Sequence, residues 1–213
     1  PPNSIYACRL EQRNPSHDFQ SWLAKSEKLK SGVEQYLLYP AASWKHKNHL
    51  RLFEALSLFI TDTGLPLKLY LTGKRTEHWS ELQHALENDN MLVDHVKHLG
   101  YCSTDELQEL YSNSMGLIMP SLFESVSIPI YEAVAFGIPC AASKISSLEE
   151  QSDQCCIGFD PLSIVSIRES IAKLTLDKGI VEQLIQSASV RYSASSFAKL
   201  ARQFSLYITS SIE

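Results

Sequence analysis

Two glutamates, Glu124 and Glu132, are the residues of this sequence whose type and placement best fit chemistry on a ligand. Residues 116–119 form an apolar run typical of a buried strand. Residues 129–136 begin with proline and are followed by glycine, as helices commonly are. Glu124 therefore lies in a strand-to-helix loop and Glu132 in the first turns of the helix. Because ligands bind at the carboxyl edge of parallel strands, the two acids indicate a polyhydroxylated ligand, although the helix dipole alone also favours Glu132.

Two cationic loops are predicted at the same edge. Lys45 and Lys47 precede a predicted helix, whose positive end disfavours lysine unless an anion lies between them. Arg75 follows the next predicted strand. Two such loops together indicate a phosphate group, whereas a solvated surface turn explains either loop alone.

Other classes of site lack their motifs. The sequence contains no GxGxxG and no GxxxxGK[ST], which argues against a dinucleotide dehydrogenase and a P-loop enzyme. Ser121, Ser125 and Ser127 lack the GxSxG context of a nucleophile and are interpreted as loop and capping residues. Histidines stand three apart at positions 46 and 49 and at 95 and 98, but without a third ligand, so no metal site is predicted.

Composition indicates an ordinary globular protein. The 213 residues are 44% hydrophobic and 20% charged, and a net charge of -5 without basic runs argues against a nucleic-acid partner. The cysteines are five in number and form no CxxC pair, which indicates reduced thiols. No signal peptide and no apolar run of about 20 residues is present, so a cytoplasmic protein without a membrane span is predicted.

Strands and helices alternate from residue 35 onward, which predicts the α/β class. The predicted strands are 35–41, 67–73, 96–101, 116–119, 139–143 and 155–159. The predicted helices are 18–30, 48–60, 77–86, 105–114, 129–136, 162–174, 180–189 and 197–208. Asn48 is predicted to cap its helix. The expected fold is a Rossmann-like, doubly wound parallel sheet of about six strands with extra C-terminal helices.

Two segments are predicted along the chain. Residues 1–34 are polar and are interpreted as a leader or linker to a preceding domain that has been cut away. Residues 35–213 are interpreted as the Rossmann-like domain.

The motifs around the two acids carry a family resemblance. Glu124 and Glu132, eight apart and followed by Ala133, resemble the EX7E signature of the retaining GT-B glycosyltransferases of family 4. Further similar motifs are Tyr39-Pro40, His46-Lys47-Asn48, Leu99-Gly100-Tyr101, Glu106-Leu107 with Tyr111, and Phe159-Asp160-Pro161. The resemblance implies one half of a GT-B fold, namely the C-terminal domain that binds a nucleotide sugar.

The resemblance also implies a role for each site residue. Lys47 would hold the donor diphosphate, and Glu132 the ribose hydroxyls. Glu124 would be the catalytic residue, a carboxylate that faces the donor sugar and positions it. Lys45 and Arg75 would assist at the diphosphate. Backbone N–H groups that contact sugar and phosphate would come from Ser125, Val126, Ser127 and Ile128, and Tyr101 and Cys102 would lie along the base.

The function implied is metal-independent, retaining hexosyl transfer in bacterial polysaccharide or lipopolysaccharide synthesis. The donor would be GDP- or UDP-linked, with no further cofactor, and the first loop resembles that of mannosyltransferases. A missing N-terminal domain would bind the acceptor, a glycan or lipid-linked glycan, at the inner face of the membrane, to which the full protein would bind peripherally. The fragment alone is expected to be inactive.

Two departures from the family pattern keep alternatives open. The family arginine is absent, since Ala41 and Ala42 stand about where it is expected. The usual glycine-rich loop is replaced by Ser125, Val126 and Ser127, which fit poorly if the backbone there needs a positive φ. The alternatives are an enzyme resembling a non-hydrolysing sugar-nucleotide epimerase, against which the EX7E spacing argues, and a non-catalytic nucleotide-binding module.

Overall fold

A single six-stranded parallel sheet forms the centre of the computed structural model, which describes residues 15–152 and 155–191. The strands are β1 (Gln35–Pro40), β2 (Leu67–Thr72), β3 (Val96–His98), β4 (Gly116–Met119), β5 (Cys140–Ser143) and β6 (Cys156–Phe159). They are arranged in the order β3-β2-β1-β4-β5-β6, and all neighbours are parallel. The predicted α/β class and the six strands are confirmed.

Nine α-helices and a short 3₁₀ turn connect the strands within the described ranges. The helices are α1 (Pro15–Lys30), α2 (His49–Thr63), α3 (Trp79–Glu87), α4 (Asn90–His95), α5 (Thr104–Asn113), α6 (Ile128–Phe136), α7 (Ser146–Ser152), α8 (Ile164–Leu176) and α9 (Lys178–Arg191). The 3₁₀ turn Lys45–Lys47 and the helices α4 and α7 were not predicted, because they are too short to show a helical period. The predicted helix 197–208 lies outside the described residues.

The core lies on both faces of the sheet. Every residue of β4 and β5 is buried, as expected for central strands of a parallel sheet. Helix α2 buries the apolar residues Leu52, Phe53, Leu56, Phe59 and Ile60. This wide apolar face packs α2 against α8.

Helix α1 packs on the domain that starts at β1. Trp22 is buried, and its indole N–H donates to the carbonyl oxygen of Leu174 at 3.1 Å. The ammonium of Lys25 donates to the carbonyl oxygens of Ser112 and Ser114 at 2.9 and 2.8 Å. Part of the segment predicted as a linker is thus a packed helix, and the boundary at residue 34 stays a prediction.

The strand order reverses at β1, which places a crevice at the carboxyl ends of β1 and β4. The chain adds β2 and β3 on one side of β1, then crosses over to add β4, β5 and β6 on the other. The connections after β1 and β4 therefore diverge, and ligands of doubly wound sheets bind at such a switch point.

Candidate functional site

A cleft of about 460 Å³ opens at this switch point. Its walls are the segment after β1 and the loop between β4 and α6, here called the acid loop (residues 120–127). The lining residues are Pro40, Ala41, Ala42, Trp44, His46, Lys47, Met119, Glu124, Val126, Ser127, Ile128 and Pro129. Five of the predicted site residues are thus brought together in one cleft.

Lys47 and Glu124 form an ion pair inside the cleft. The Lys47 ammonium donates to Oε1 of Glu124, and the two side chains are only 17% and 11% exposed. Ser121 donates its hydroxyl to the same carboxylate oxygen at 2.8 Å, and Tyr39 donates its hydroxyl to the Lys47 carbonyl at 2.7 Å. The Glu124 carboxylate is therefore held by a neutral hydroxyl as well as by the ammonium, and Tyr39 holds the backbone of Lys47.

Asn48 joins the Lys47 segment to the ends of β4 and β6. Its side-chain amide donates to the carbonyl oxygens of Pro120 at 3.0 Å and Pro161 at 2.8 Å. Asn48 occupies the N-cap position of α2 with a φ of 61°, a left-handed conformation that asparagine tolerates. The predicted side-chain cap of α2 is wrong, because these long-range bonds engage the amide instead and no side-chain cap bond forms.

A neutral histidine lies buried behind the cleft. His49 packs with ring centroids 4.8 Å from Tyr39 and 6.3 Å from Phe53. Burial, together with the neighbouring groups His78, His98 and Lys47, lowers the pKa of His49 from 6.5 to about 3. The imidazole of His49 is consequently uncharged at neutral pH.

The acid loop is held from outside by α7. Gln151 accepts a hydrogen bond from the Ser127 N–H at 2.8 Å and donates its amide to the Ser127 carbonyl at 2.5 Å. The Ser127 N–H, predicted to contact the donor, is thus engaged within the protein, while the N-cap Ser127 hydroxyl has no hydrogen-bond partner in the described structure. Among the described residues, Asn48 alone of the non-glycines has a positive φ, so serine at 125 and 127 imposes no such strain.

Glu132 lies one turn into α6 and outside the residues that line the cleft. Its carboxylate accepts a hydrogen bond of 2.7 Å from the hydroxyl of Tyr111 on α5. The Tyr111 ring is buried and stacks on Phe136 with centroids 5.3 Å apart. Glu132 is therefore oriented by α5 rather than by the acid loop.

Five further predicted residues do not line the cleft, namely Lys45, Arg75, Tyr101, Cys102 and Ser125. Lys45 is exposed in the 3₁₀ turn, and Tyr101 is 89% exposed. The guanidinium carbon of Arg75 lies 4.6 Å from the ring centroid of Trp79, a cation–π distance. The Nε of Arg75 donates to Nδ1 of His98 at 3.4 Å. Cys102 is half-buried, and burial raises the pKa of its thiol.

The histidines at positions 46, 49, 95 and 98 all lie within the described residues. Over residues 15–152 and 155–191, no group of three or more His, Cys, Asp or Glu side chains could hold a metal ion.

Three kinds of contributor were not predicted from the sequence. Trp44 and His46 line the cleft, and their place within the three residues before Lys47 was the available signal. The hydroxyl of Ser121 holds Glu124, although it was interpreted only as a loop residue. The contact of Gln151 spans 24 residues and has no local signal.

Fold and cleft together define a Rossmann-like α/β domain with a cation and an acid at its switch point. The model of the family "Glycosyl transferases group 1" matches residues 21–191, so the chain belongs to this family. It is 26% identical over 151 residues to the O-antigen chain mannosyltransferase B of Escherichia coli, covering 71% of this chain and 39% of that protein. It is 34% identical over 121 residues to the O-antigen chain mannosyltransferase RfbU of Salmonella typhimurium, covering 57% of this chain and 33% of that one. The chain thus spans less than half the length of these relatives.

Solved structures confirm the predicted half of a GT-B fold. The Anabaena protein HepE, in complex with UDP and glucose, superposes with a TM-score of 0.67 and 18% identity over 92% of this chain and 54% of its own. The catalytic domain of the Helicobacter pylori cholesterol-α-glucosyltransferase superposes with a TM-score of 0.61 and 19% identity over 76% of this chain and 98% of its own. GT-B glycosyltransferases use nucleotide-sugar donors. No helix in the described part of the chain has the length and hydrophobicity that a membrane-spanning segment needs.

Proposed function

We propose that this chain is the donor-binding part of a glycosyltransferase that transfers a hexose from a nucleotide diphosphate sugar. The observation that carries the proposal is the pairing of Lys47 with Glu124 in the cleft at the switch point. A cation and a carboxylate held side by side match the two chemical parts of the donor, its diphosphate and its sugar hydroxyls.

Each site residue has a proposed task. Lys47 binds the diphosphate, with Lys45 and Arg75 able to approach from the rim by side-chain movement. Glu124 is the catalytic residue that orients the sugar, and Glu132 accepts hydrogen bonds from the ribose. The backbone N–H groups of the loop 125–128, apart from the one that Gln151 engages, complete the sugar and phosphate contacts, and Tyr101 and Cys102 flank the base.

Electrostatics account for the proposed chemistry. Departure of the diphosphate develops negative charge, which the Lys47 ammonium and the N-terminus of α6 stabilise without a metal ion. Glu124 would position the sugar for attack by the acceptor on the face from which the diphosphate leaves, with retention of configuration.

The relatives suggest the setting. Two of them are named O-antigen chain mannosyltransferases, which supports a mannosyl donor, GDP-linked, and a role in bacterial polysaccharide or lipopolysaccharide synthesis. HepE was solved with UDP and glucose, which keeps a UDP-linked hexose as the second donor class. We place the reaction in the cytoplasm at the inner membrane face, with the acceptor glycan bound by a second domain of a longer protein. The chain of 213 residues alone should therefore bind donor without transferring sugar.

Calorimetric titration tests the donor site. The chain is titrated, without metal, with UDP, GDP, ADP and their sugar conjugates, beside Lys47→Ala, Glu132→Ala and the exposed control Lys30→Ala. One nucleotide should bind with about 4 to 8 kcal/mol, in the micromolar to millimolar range. Binding should be lost in the two site variants and kept in the control. A folded chain that binds none of these compounds would contradict the proposal.

One observation favours a second candidate, a nucleotide-binding module without turnover. Among the described residues that line the cleft, none is an arginine, so the bidentate contact that arginine makes with phosphate is not supplied there. Transfer of a hexose by the longer protein that contains this chain would exclude the module, whereas tight nucleotide binding without transfer would favour it.

A further inference from the structure

Helix α7 directs two polar side chains at the acid loop. Ser147 and Gln151 stand four residues apart, so they lie on the same face of the helix. The Ser147 hydroxyl donates to the carbonyl oxygen of Glu124 at 2.6 Å. Gln151 bonds both the N–H and the carbonyl of Ser127. The two side chains thus hold the loop at the sugar-facing acid and again three residues later.

The hydrogen bonds from α7 restrain the backbone of the acid loop, which has few conformational restraints in its own sequence. Between the two attachment points lie Ser125 and Val126, both exposed. The loop has no glycine and no residue with a positive φ, and no proline separates Glu124 from Ser127. The shape of the loop therefore depends on outside contacts. Asn48 and His46 hold its start, and Ser147 and Gln151 of α7 bond the backbone of Glu124 and Ser127.

Attachment of α7 to the domain does not explain the two polar residues. Leu148, on another side of the helix, is fully buried in the main core and anchors α7 by apolar contact. Ser147 and Gln151 are only partly buried, and a helix that served packing alone would not need two side chains bonded to one loop.

We propose that Ser147 and Gln151 are positioning residues, which set where Glu124 meets the donor sugar. The inference rests on the proposed function, because it assigns the acid loop to the donor. Neither residue touches the donor itself. Loss of either should therefore impair recognition of the sugar more than recognition of the nucleotide.

The test compares sugar nucleotides with bare nucleotides. Gln151→Met and Ser147→Ala remove the bonds, Ser147→Thr keeps the hydroxyl, and Glu150→Gln changes an exposed neighbour on α7 as a control. The probes are GDP-mannose and UDP-glucose beside GDP and UDP, titrated by calorimetry. We expect about tenfold weaker binding of the sugar nucleotide to Gln151→Met and Ser147→Ala, less than threefold weaker binding of the bare nucleotide, and wild-type affinities for Ser147→Thr and Glu150→Gln.

The outcomes separate this inference from the proposed function. Equal weakening for both kinds of probe, or no weakening at all, would overturn the positioning role while leaving the donor site intact. A wild-type chain that binds neither kind of probe would overturn the donor site and this inference with it. Thermal melts of all variants confirm that the compared samples are folded.

Discussion

Replacing Glu124 by glutamine should strengthen the binding of a nucleoside diphosphate. In the structure the Glu124 carboxylate holds the Lys47 ammonium, so a diphosphate must take that cation from Glu124. The incoming negative charge also approaches the carboxylate. Glu124→Gln removes both obstacles and keeps a carbonyl oxygen to which Ser121 can donate. Lys47→Ala, at the other end of the same pair, should act in the opposite direction.

The magnitude follows from the exposure of the pair. With side chains 17% and 11% exposed, the pair lies near the upper end of what partly solvated ion pairs contribute, about 1 kcal/mol. At 25 °C this corresponds to about fivefold in Kd. Removal of the repulsion acts in the same direction, so we expect at least fivefold tighter binding of GDP or UDP to Glu124→Gln and at least fivefold weaker binding to Lys47→Ala.

Calorimetry with a bare nucleoside diphosphate is the appropriate assay, because it leaves out any contact of Glu124 with the sugar. Glu149→Gln removes the same charge from an exposed position on α7 and controls for net charge. Raising the salt concentration should shrink the gain, since the repulsion is screened. Weaker binding to Glu124→Gln than to the wild type would refute the competition for Lys47.

Three further substitutions test other parts of the structure. Burial lowers the pKa of His49 to about 3, so the neutral imidazole contributes its full stabilisation above pH 6.5 and loses it as the pH falls. Between pH 7 and pH 5, the free energy of unfolding measured with urea should therefore fall by about 2 kcal/mol less in His49→Phe than in the wild type. Gly73 has a φ of 113°, and a Cβ there would lie 2.9 Å from the Ala41 carbonyl carbon; Gly73→Ala should cost roughly 2–4 kcal/mol by the same assay. Tyr111→Phe removes the bond to Glu132; it should cost about 1 kcal/mol of stability and weaken nucleotide binding severalfold by calorimetry.

Each of these has its own control. His84 is exposed, so the free energy of unfolding of His84→Gln should change as that of the wild type does from pH 7 to pH 5. If His49→Phe lost as much stability over this pH range as the wild type, the buried neutral imidazole would be contradicted. Gly179 lies in α9 with space for a Cβ, so Gly179→Ala should be neutral or stabilising, and a harmless Gly73→Ala would contradict the close approach of the β1 and β2 loops. Unchanged nucleotide affinity in Tyr111→Phe would mean that Glu132 does not need this bond.

The strands of the sheet were predictable from the sequence because local signals determine them. Apolar runs closed by proline or glycine marked the central strands, and the placement of Lys47 and Glu124 at the same edge followed from strand alternation alone. The parts that stayed unpredicted are contacts between distant segments. The side-chain amide of Asn48 donates to the carbonyl oxygens of Pro120 and Pro161, which lie 72 and 113 positions further along the chain. No local pattern distinguishes such an asparagine from a helix cap.

Short elements were missed for a related reason. Helix α7 has only seven residues, fewer than two full turns, so its apolar spacing carries little information. Without α7 the contact of Gln151 with Ser127 could not be placed, and the loop was judged by its missing glycines instead. In the structure neither Ser125 nor Ser127 has a positive φ, so the missing glycines cause no backbone strain there.

A crystal structure of this chain with the nucleoside diphosphate that it binds tests the central claim most directly. The account predicts the diphosphate within hydrogen-bond distance of the Lys47 ammonium, at the N-terminal end of α6, and the ribose hydroxyls on the carboxylate of Glu132. Glu124 should then have released Lys47. A nucleotide bound elsewhere on the domain, with the pair between Lys47 and Glu124 unbroken, would contradict it.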